Sequence, residues 1–516
     1  MATTQTKGES RTIGKAAERY VIGSPNRQTV LERARKASSL TIPGMIPLDG
    51  QNEHSTFSQP YQSLGSRCVS HLSSALLLAL FPPNLPFFRL SVDELTVQGL
   101  GEGLGEVEGK LAVLARVVYS LMEGASLRPA MIEVIRHLIV SGNVLLFTPE
   151  ALPARLFRLD QYVVKRDQFG RAVETVVHEK IAVSNLDDAT RAAVGITDPA
   201  SDEELDVYTI IERIGENMEW RQEIKGILVP KSEGEAPVDA SPWIALRWLN
   251  VPGSDYGRSH VTEYIGDFIS LEDLYKSMVQ FASEASRILR VVDPNSGMDV
   301  EELAAAESGD YLTGYGDKIV TLQLDKNQDW SVMSALADRI EQRLSAAFLL
   351  RAGMTRDAER VTAEEVRLVA QELENVLGGT YTILSAELQM PLVRRFMHIG
   401  VRLQRVPELP STVTPTVVTG FDALGRAHGV NRIRAFISDL RMALGEQAAN
   451  AIINGPEMAR RLGDGHGVDG LETLIKSADQ QQAENEATQS QQAMAAATPH
   501  IAKAAGEAAL QQEPSE

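Results

Sequence analysis

Apolar residues recur at steps of three and four through Val261, Tyr264, Ile265, Phe268, Leu271, Leu274, Tyr275, Met278, Ala282 and Ala285. That spacing predicts one long amphipathic helix. The same period returns after an insert, in Trp330, Met333, Leu336, Ala337, Ile340, Leu344, Ala347 and Phe348. Thr362-Ala363-Glu364-Glu365 reads as a capping-box start for a third helix, whose apolar face carries Val366, Val369, Ala370, Leu373 and Leu377. The insert between the first two is rich in turns and strands, and Asp293-Pro294-Asn295-Ser296-Gly297 is a turn inside it. Its glycine stands one place early for a calcium loop, and the closing Glu is missing. Long helices around so little chemistry describe a mechanical element.

Elsewhere the period shifts. Helical spacing covers Tyr61 to Phe81, Lys110 to Met122 and Pro129 to Val140. Short alternating runs then predict antiparallel strands at Val144–Phe147, Arg155–Leu159, Tyr162–Lys165, Glu174–His178, Val207–Arg213, Met218–Ile224 and Trp243–Trp248. Pro407, Pro410 and Pro415 mark an extended connector into a strand at Thr416–Thr419, and Asn431 to Leu444 is an amphipathic helix. From Asp479 the chain is rich in Gln, Ala and Glu, the composition of a disordered or weakly helical tail.

Composition narrows the class. At 516 residues with 43% hydrophobic and 5% aromatic content, the chain should divide into sub-domains of an aliphatic, helix-leaning protein. Cys68 is the one cysteine, which excludes an intramolecular disulfide and a cysteine zinc cluster. The first 26 residues are polar and mildly basic, unlike a secretory signal. The apolar run Ala75 to Phe81 falls far short of the ~20 residues a membrane span needs, so no membrane partner is expected. A net charge of −19 argues against a conventional duplex-binding surface. Taken by itself it reads first as acidity that keeps the chain soluble; only in a DNA channel would it make a wall along which duplex slides.

Catalytic motifs are missing: the sequence has no HExxH, GxSxG or phosphate loop. Gly99 to Glu106 alternates Gly with Glu, which would repel a phosphate, and Gly109-Lys110 is followed by Leu111 where a hydroxyl is needed. No enzyme activity and no cofactor is expected. Glu364-Glu365 and the pair Glu372 and Glu374 are a solvated helix face or the lining of a channel.

Several runs resemble one family. They are Phe81-Pro82 with Phe87-Phe88-Arg89-Leu90, Val140 to Leu146, Arg158 to Asp167, Val361 to Arg367, Gln371-Glu372-Leu373-Glu374 with Gly378-Gly379, and Gln389-Met390-Pro391-Leu392. Their order resembles the portal proteins, or head-to-tail connectors, of short-tailed (podovirus-type) bacteriophages, from about Arg27 to Ser477. The resemblance implies an α+β, predominantly helical portal fold with long stem helices, strand-rich wing and clip parts and a C-terminal helical crown. It also implies a ring, usually of twelve chains, at one capsid vertex of the virion, assembled in the host cytoplasm. DNA would pass through it, with terminase motor, tail adaptor or tail proteins, major capsid and scaffold proteins as partners, and internal core proteins at the crown. The other reading is a different virion structural protein, a tail adaptor or scaffold.

By the same resemblance the chain divides into an arm (1–26), wing (27–256), first stem helix (257–288), clip (289–329), second stem helix (330–350), tunnel loop (351–361), wing (362–430), crown (431–477) and tail (478–516). The tunnel loop would bring Arg351, Arg356 and Arg360, offset by Asp357 and Glu359, to the narrowest point. These arginines would either touch DNA phosphates or pair between subunits. In the clip, Asp310, Tyr311, Tyr315 and Asp317 would form a docking surface.

Overall fold

The computed structural model describes residues 15–463, except 52–54, 84–86, 92–103, 151–152, 286–288, 314–318, 323–326, 351–362, 406–415, 420–425 and a few positions within 197–202, 294–312, 378 and 454–461. The tail at 478–516 lies outside the described residues. Two compact units result, 1–420 and 421–516.

The first unit opens with helix α1 (Ala16–Leu40), then α2 (Leu64–Leu80), strand β1 (Phe88–Ser91), α3 (Leu104–Gly124) and α4 (Leu127–Ser141). A strand region follows: β2 (Asn143–Phe147), β3 (Arg155–Phe157), β4 (Tyr162–Arg166), β5 (Ala172–Ala182), the short helix α5 (Asp188–Val194), β6 (Glu204–Ile214), β7 (Asn217–Ile224), β8 (Ile227–Leu228), β9 (Gly234–Pro237) and β10 (Trp243–Arg247). The sheet β4-β5-β6-β7-β8, with β9 on β7, is antiparallel throughout. A second sheet has the order β10-β2-β3.

Strand alternation builds a two-faced sheet. Val163, Val176 and Ile210 point to one face with Ala16, while Tyr162, Val164, Val177 and Ile211 point to the other with Leu31 and Ala34. Helix α1 therefore runs past the β4 edge and packs on both sides, covering an edge that would otherwise be open. It starts at Ala16, so residues 16–26 belong to the helix and not to a loose arm. Arg19 explains why, since it pairs with Glu212 and with Glu174 at 3.4 Å, while the Ala16 amide donates to Glu223 at 3.1 Å. Pro25 is held inside the helix.

Buried cations fasten this body through carbonyls. Arg27 Nη1 donates to the backbone oxygens of Leu159, Asp160 and Tyr162 at 3.2, 2.9 and 2.7 Å, with its guanidinium 5.2 Å from the Tyr20 ring centre. Carbonyl ligands let a charge stay buried without a carboxylate.

The chain continues through α6 (His260–Glu263), α7 (Ile265–Ala285), β11 (Leu289–Val292), α8 (Val300–Ala305), β12 (Ile319–Leu322), α9 (Asn327–Ala347) and α10 (Ala363–Leu377). One further helix was not expected. It runs as α11 (Thr380–Leu384), a π turn at Ser385–Gln389, and α12 (Met390–Arg402). Pro391, which has no N–H to offer the preceding turn, stands two residues past the end of the π turn that absorbs the mismatch. The unit closes with β13 (Thr416–Thr419) on β1. In the second unit, α13 (Arg426–Leu444) begins five residues before the expected start of the crown, and α14 (Glu446–Ile452) follows. Among the described residues no helix is long and apolar enough to cross a membrane.

His137 on α4 is buried, and burial lowers its pKa from 6.5 to about 4. Between those values the unfolded chain binds the extra proton, so stability is retained above pH 6.5 and falls as pH drops toward 4. The shift corresponds to about 3 kcal/mol at most. His137→Leu should flatten the pH dependence of chemical unfolding between pH 6.5 and 4 relative to the parent chain.

Candidate functional site

Helices α7 and α9 form an antiparallel hairpin, and the order of their contacts shows it. Phe268 meets Phe348 at 5.6 Å between ring centres, the Tyr275 hydroxyl donates to Glu341, and Phe281 meets Trp330 at 5.6 Å. Beside this seam, Arg343 donates to Asp267 at 2.8 Å. Leu271, Ala337, Ile340 and Leu344 are buried along it. The bond to Glu341 pushes the Tyr275 pKa up to about 12.

The end of the hairpin nearest the body is a knot of rings. His260, Tyr264 and Phe268 surround Phe348 at 4.6, 5.9 and 5.6 Å, and Trp248 reaches His260 at 5.5 Å. Nε2 of His260 lies 3.1 Å from the carbonyl of Ala347, one of the last carbonyls of α9. Burial lowers the His260 pKa, which keeps the ring neutral as a donor to that oxygen. The helix ends in a Schellman arrangement: the Leu350 amide donates to Ser345 at 2.7 Å and the Leu349 amide to Ala346 at 3.2 Å. Leu349 takes the left-handed conformation with φ 56° where glycine is usual, and its side chain stays buried. The chain direction leaving α9 is thus fixed one residue before position 351.

Ser259 caps α6 by accepting from the Thr262 amide at 3.0 Å. Glu272 ties α7 to the body, accepting the amides of Tyr61 and Gln62 at 2.9 and 3.2 Å. Beyond α7, β11 pairs with β12 from Leu289↔Leu322 to Val292↔Ile319, closing the hairpin into a narrow insert. In its turn the Asn295 amide donates to Asp293 at 2.9 Å, as the expected turn requires.

The proposed docking residues separate here. Tyr311 is fully exposed. Asp310 folds back, accepting the Glu307 amide at 2.7 Å, so its carboxylate is already engaged locally. Tyr315 and Asp317 lie outside the described residues, as do Arg351, Arg356, Asp357, Glu359 and Arg360. Val291 on β11 and Val300 at the start of α8 are exposed on the insert and escaped the sequence reading, because elements this short carry no pattern. A groove of about 630 Å³ beside α9 was also missed. It is lined by Asp338, Glu341, Ser345, Leu349 and Leu350 of the α9 end and by Val376 of α10. Among the described residues no cluster of His, Cys, Asp and Glu could hold a metal ion. Burial pushes the Cys68 thiol up to about 12, which leaves it protonated and inert.

Helix α10 leads from the far side of 351–362 back into the body. Tyr381 donates to the Ala79 carbonyl at 3.3 Å and Gln389 to that of Leu80 at 2.5 Å. Arg395 reaches the carbonyls of Thr148 and Ala240 at 3.3 and 3.4 Å.

The chain matches the family model of the bacteriophage head to tail connecting protein over residues 14–471. It is 37% identical over 464 residues to the portal protein of Escherichia phage T7, covering 87% of this chain and 86% of the relative. It is 32% identical over 492 residues to the portal protein of Pseudomonas phage phiKMV, covering 91% and 93%. Among solved structures, the neck of an empty GTA particle has a TM-score of 0.38 at 14% identity, covering 78% of this chain and 90% of that one.

Phe348 carries the knot, so Phe348→Ala should lower the unfolding free energy by about 3–5 kcal/mol. Phe281→Ala, at the half-buried outer end of the seam, should cost clearly less. Denaturant unfolding of the unassembled chain measures both.

Proposed function

The chain belongs to the bacteriophage head-to-tail connecting proteins, the portal proteins, and from that membership we propose how its parts divide the work of a DNA channel. A portal protein is a structural component of the virion, not an enzyme. It forms the channel at one capsid vertex through which the genome is packaged and ejected, and it is the platform on which terminase and later the tail dock. The finer assignment is our reading. The α7–α9 hairpin is the stem, the β11–β12 insert at 289–329 is the clip, and residues 351–361 are the tunnel loop. The body at 27–256 and 362–430 is the wing, and 431–477 is the crown.

One observation carries this division. Two long helices, locked together at one end by the ring knot, hold a narrow insert out at the other, and α9 ends at the knot. A single hairpin therefore separates a docking tip from a loop at the body by the length of its helices. In this reading twelve copies close the ring. The clip meets terminase and then the tail adaptor, the wing meets major capsid and scaffold proteins, and the crown meets internal core proteins.

Native mass spectrometry of the purified protein should show a species of about twelve 56.3 kDa chains without DNA or nucleotide. Deleting 309–317 should leave that species intact and abolish joining of terminase and tail components. Loss of solubility in the deletion would identify the segment as core.

Arg356 tests the tunnel loop. If it touches phosphate, Arg356→Glu leaves ring mass unchanged and reduces the DNA retained after packaging. If it pairs across subunits, rings dissociate or change copy number, because even an exposed pair worth ~0–1 kcal/mol is lost at every interface. Normal ring mass and normal DNA length together would remove Arg356 from both roles.

A further inference from the structure

Helix α9 presents three different sides. One is the seam against α7, built from Ala337, Ile340, Leu344 and Phe348. A second is an exposed ridge of Val332, Leu336, Arg339 and Arg343, in which Val332 is 67% and Leu336 46% exposed. The third is the groove of about 630 Å³, with Asp338 and Glu341 on its wall and Leu349, Leu350 and Val376 in it. At 3.6 residues per turn the ridge and the groove wall lie roughly 150° apart around the helix.

The two free sides are complementary in both charge and polarity. The ridge offers apolar side chains and arginines; the groove offers apolar side chains and the carboxylates of Asp338 and Glu341. Arg343 already has Asp267. No ion pair of Arg339 occurs among the described residues.

We propose that Arg339 of one copy faces the groove wall of the next copy in the ring, meeting Asp338 and Glu341, whose carboxylate also accepts from Tyr275. The inference rests on the portal reading and adds which residues meet. Rotational symmetry supports it. A rotation about the ring axis keeps every atom at its own height, so head-to-tail partners must come from nearly the same level of each copy. Asp338, Arg339 and Glu341 occupy one turn of one helix, which satisfies that condition for a helix running with the axis. The same geometry makes the contact heterologous, so each copy uses both sides and the ring leaves neither exposed.

The test is a charge exchange read by native mass spectrometry across a salt series. Arg339→Asp and Asp338→Arg, each alone, should shift ring dissociation to lower salt or leave only sub-ring species. The double exchange Asp338→Arg with Arg339→Asp should restore rings, since each groove then meets an inverted ridge. Far-UV circular dichroism and thermal unfolding of the dissociated chains serve as the folding control. Should a reversed charge unfold the chain, Arg339→Gln and Asp338→Asn replace it and should lower salt resistance to a smaller degree. Rings of Arg339→Asp as salt-resistant as the parent, or a double variant no better than the singles, would overturn the contact while leaving the portal reading intact. Failure of the parent chain itself to form rings would instead count against that reading.

Discussion

Phe348 stands where two helices of 21 residues each meet the body, and its ring is the fixed point of the whole hairpin. Each helix extends roughly 30 Å from it. A lever of that length turns a small loss of packing at its root into a large displacement at its tip. Aromatic contacts suit the root because edge-to-face rings add about 0.5–1.5 kcal/mol per pair to burial and fix orientation as well. Phe348 has three such neighbours, and the His260 bond to the Ala347 carbonyl sets the helix end along the remaining direction.

The body beneath is built for stiffness by other means. Arg27 and Arg395 are buried cations whose ligands are backbone carbonyls of segments distant in sequence, and Gln389 does the same for Leu80. Each such bond would leave a buried polar group unpaired if the segments moved apart, at a cost of about 1–3 kcal/mol. A body stitched in this way resists shear. Among the described residues the hairpin is attached more sparingly, by the ring knot, the Glu272 bonds and little else polar.

Period and turn chemistry made much of this legible. The seam residues Phe268, Leu271, Ile340, Leu344 and Phe348 follow from steps of three and four, and the strand region followed from alternation. Helix 380–402 was hidden because Gln389 and Arg395 are held by partners more than 150 residues away. The start of α1 was hidden likewise, since Arg19 and its glutamates meet only after folding. The family was readable from motif order. The groove on α9 was not, because a concave side made by two helices has no signature in either one.

The π turn at Ser385–Gln389 can be regarded as a phase element. A π turn holds one residue more than the α-helix around it, so it advances everything downstream by about 100° relative to an uninterrupted α-helix. Arg395 thus points to its carbonyls because the turn holds one residue more than an α-helix would. Removing one residue there would leave every side chain's chemistry intact and aim Arg395 away from Thr148 and Ala240. For this stretch of the chain, residue count is as much a determinant of structure as residue identity, and a length change would be felt as a rotation.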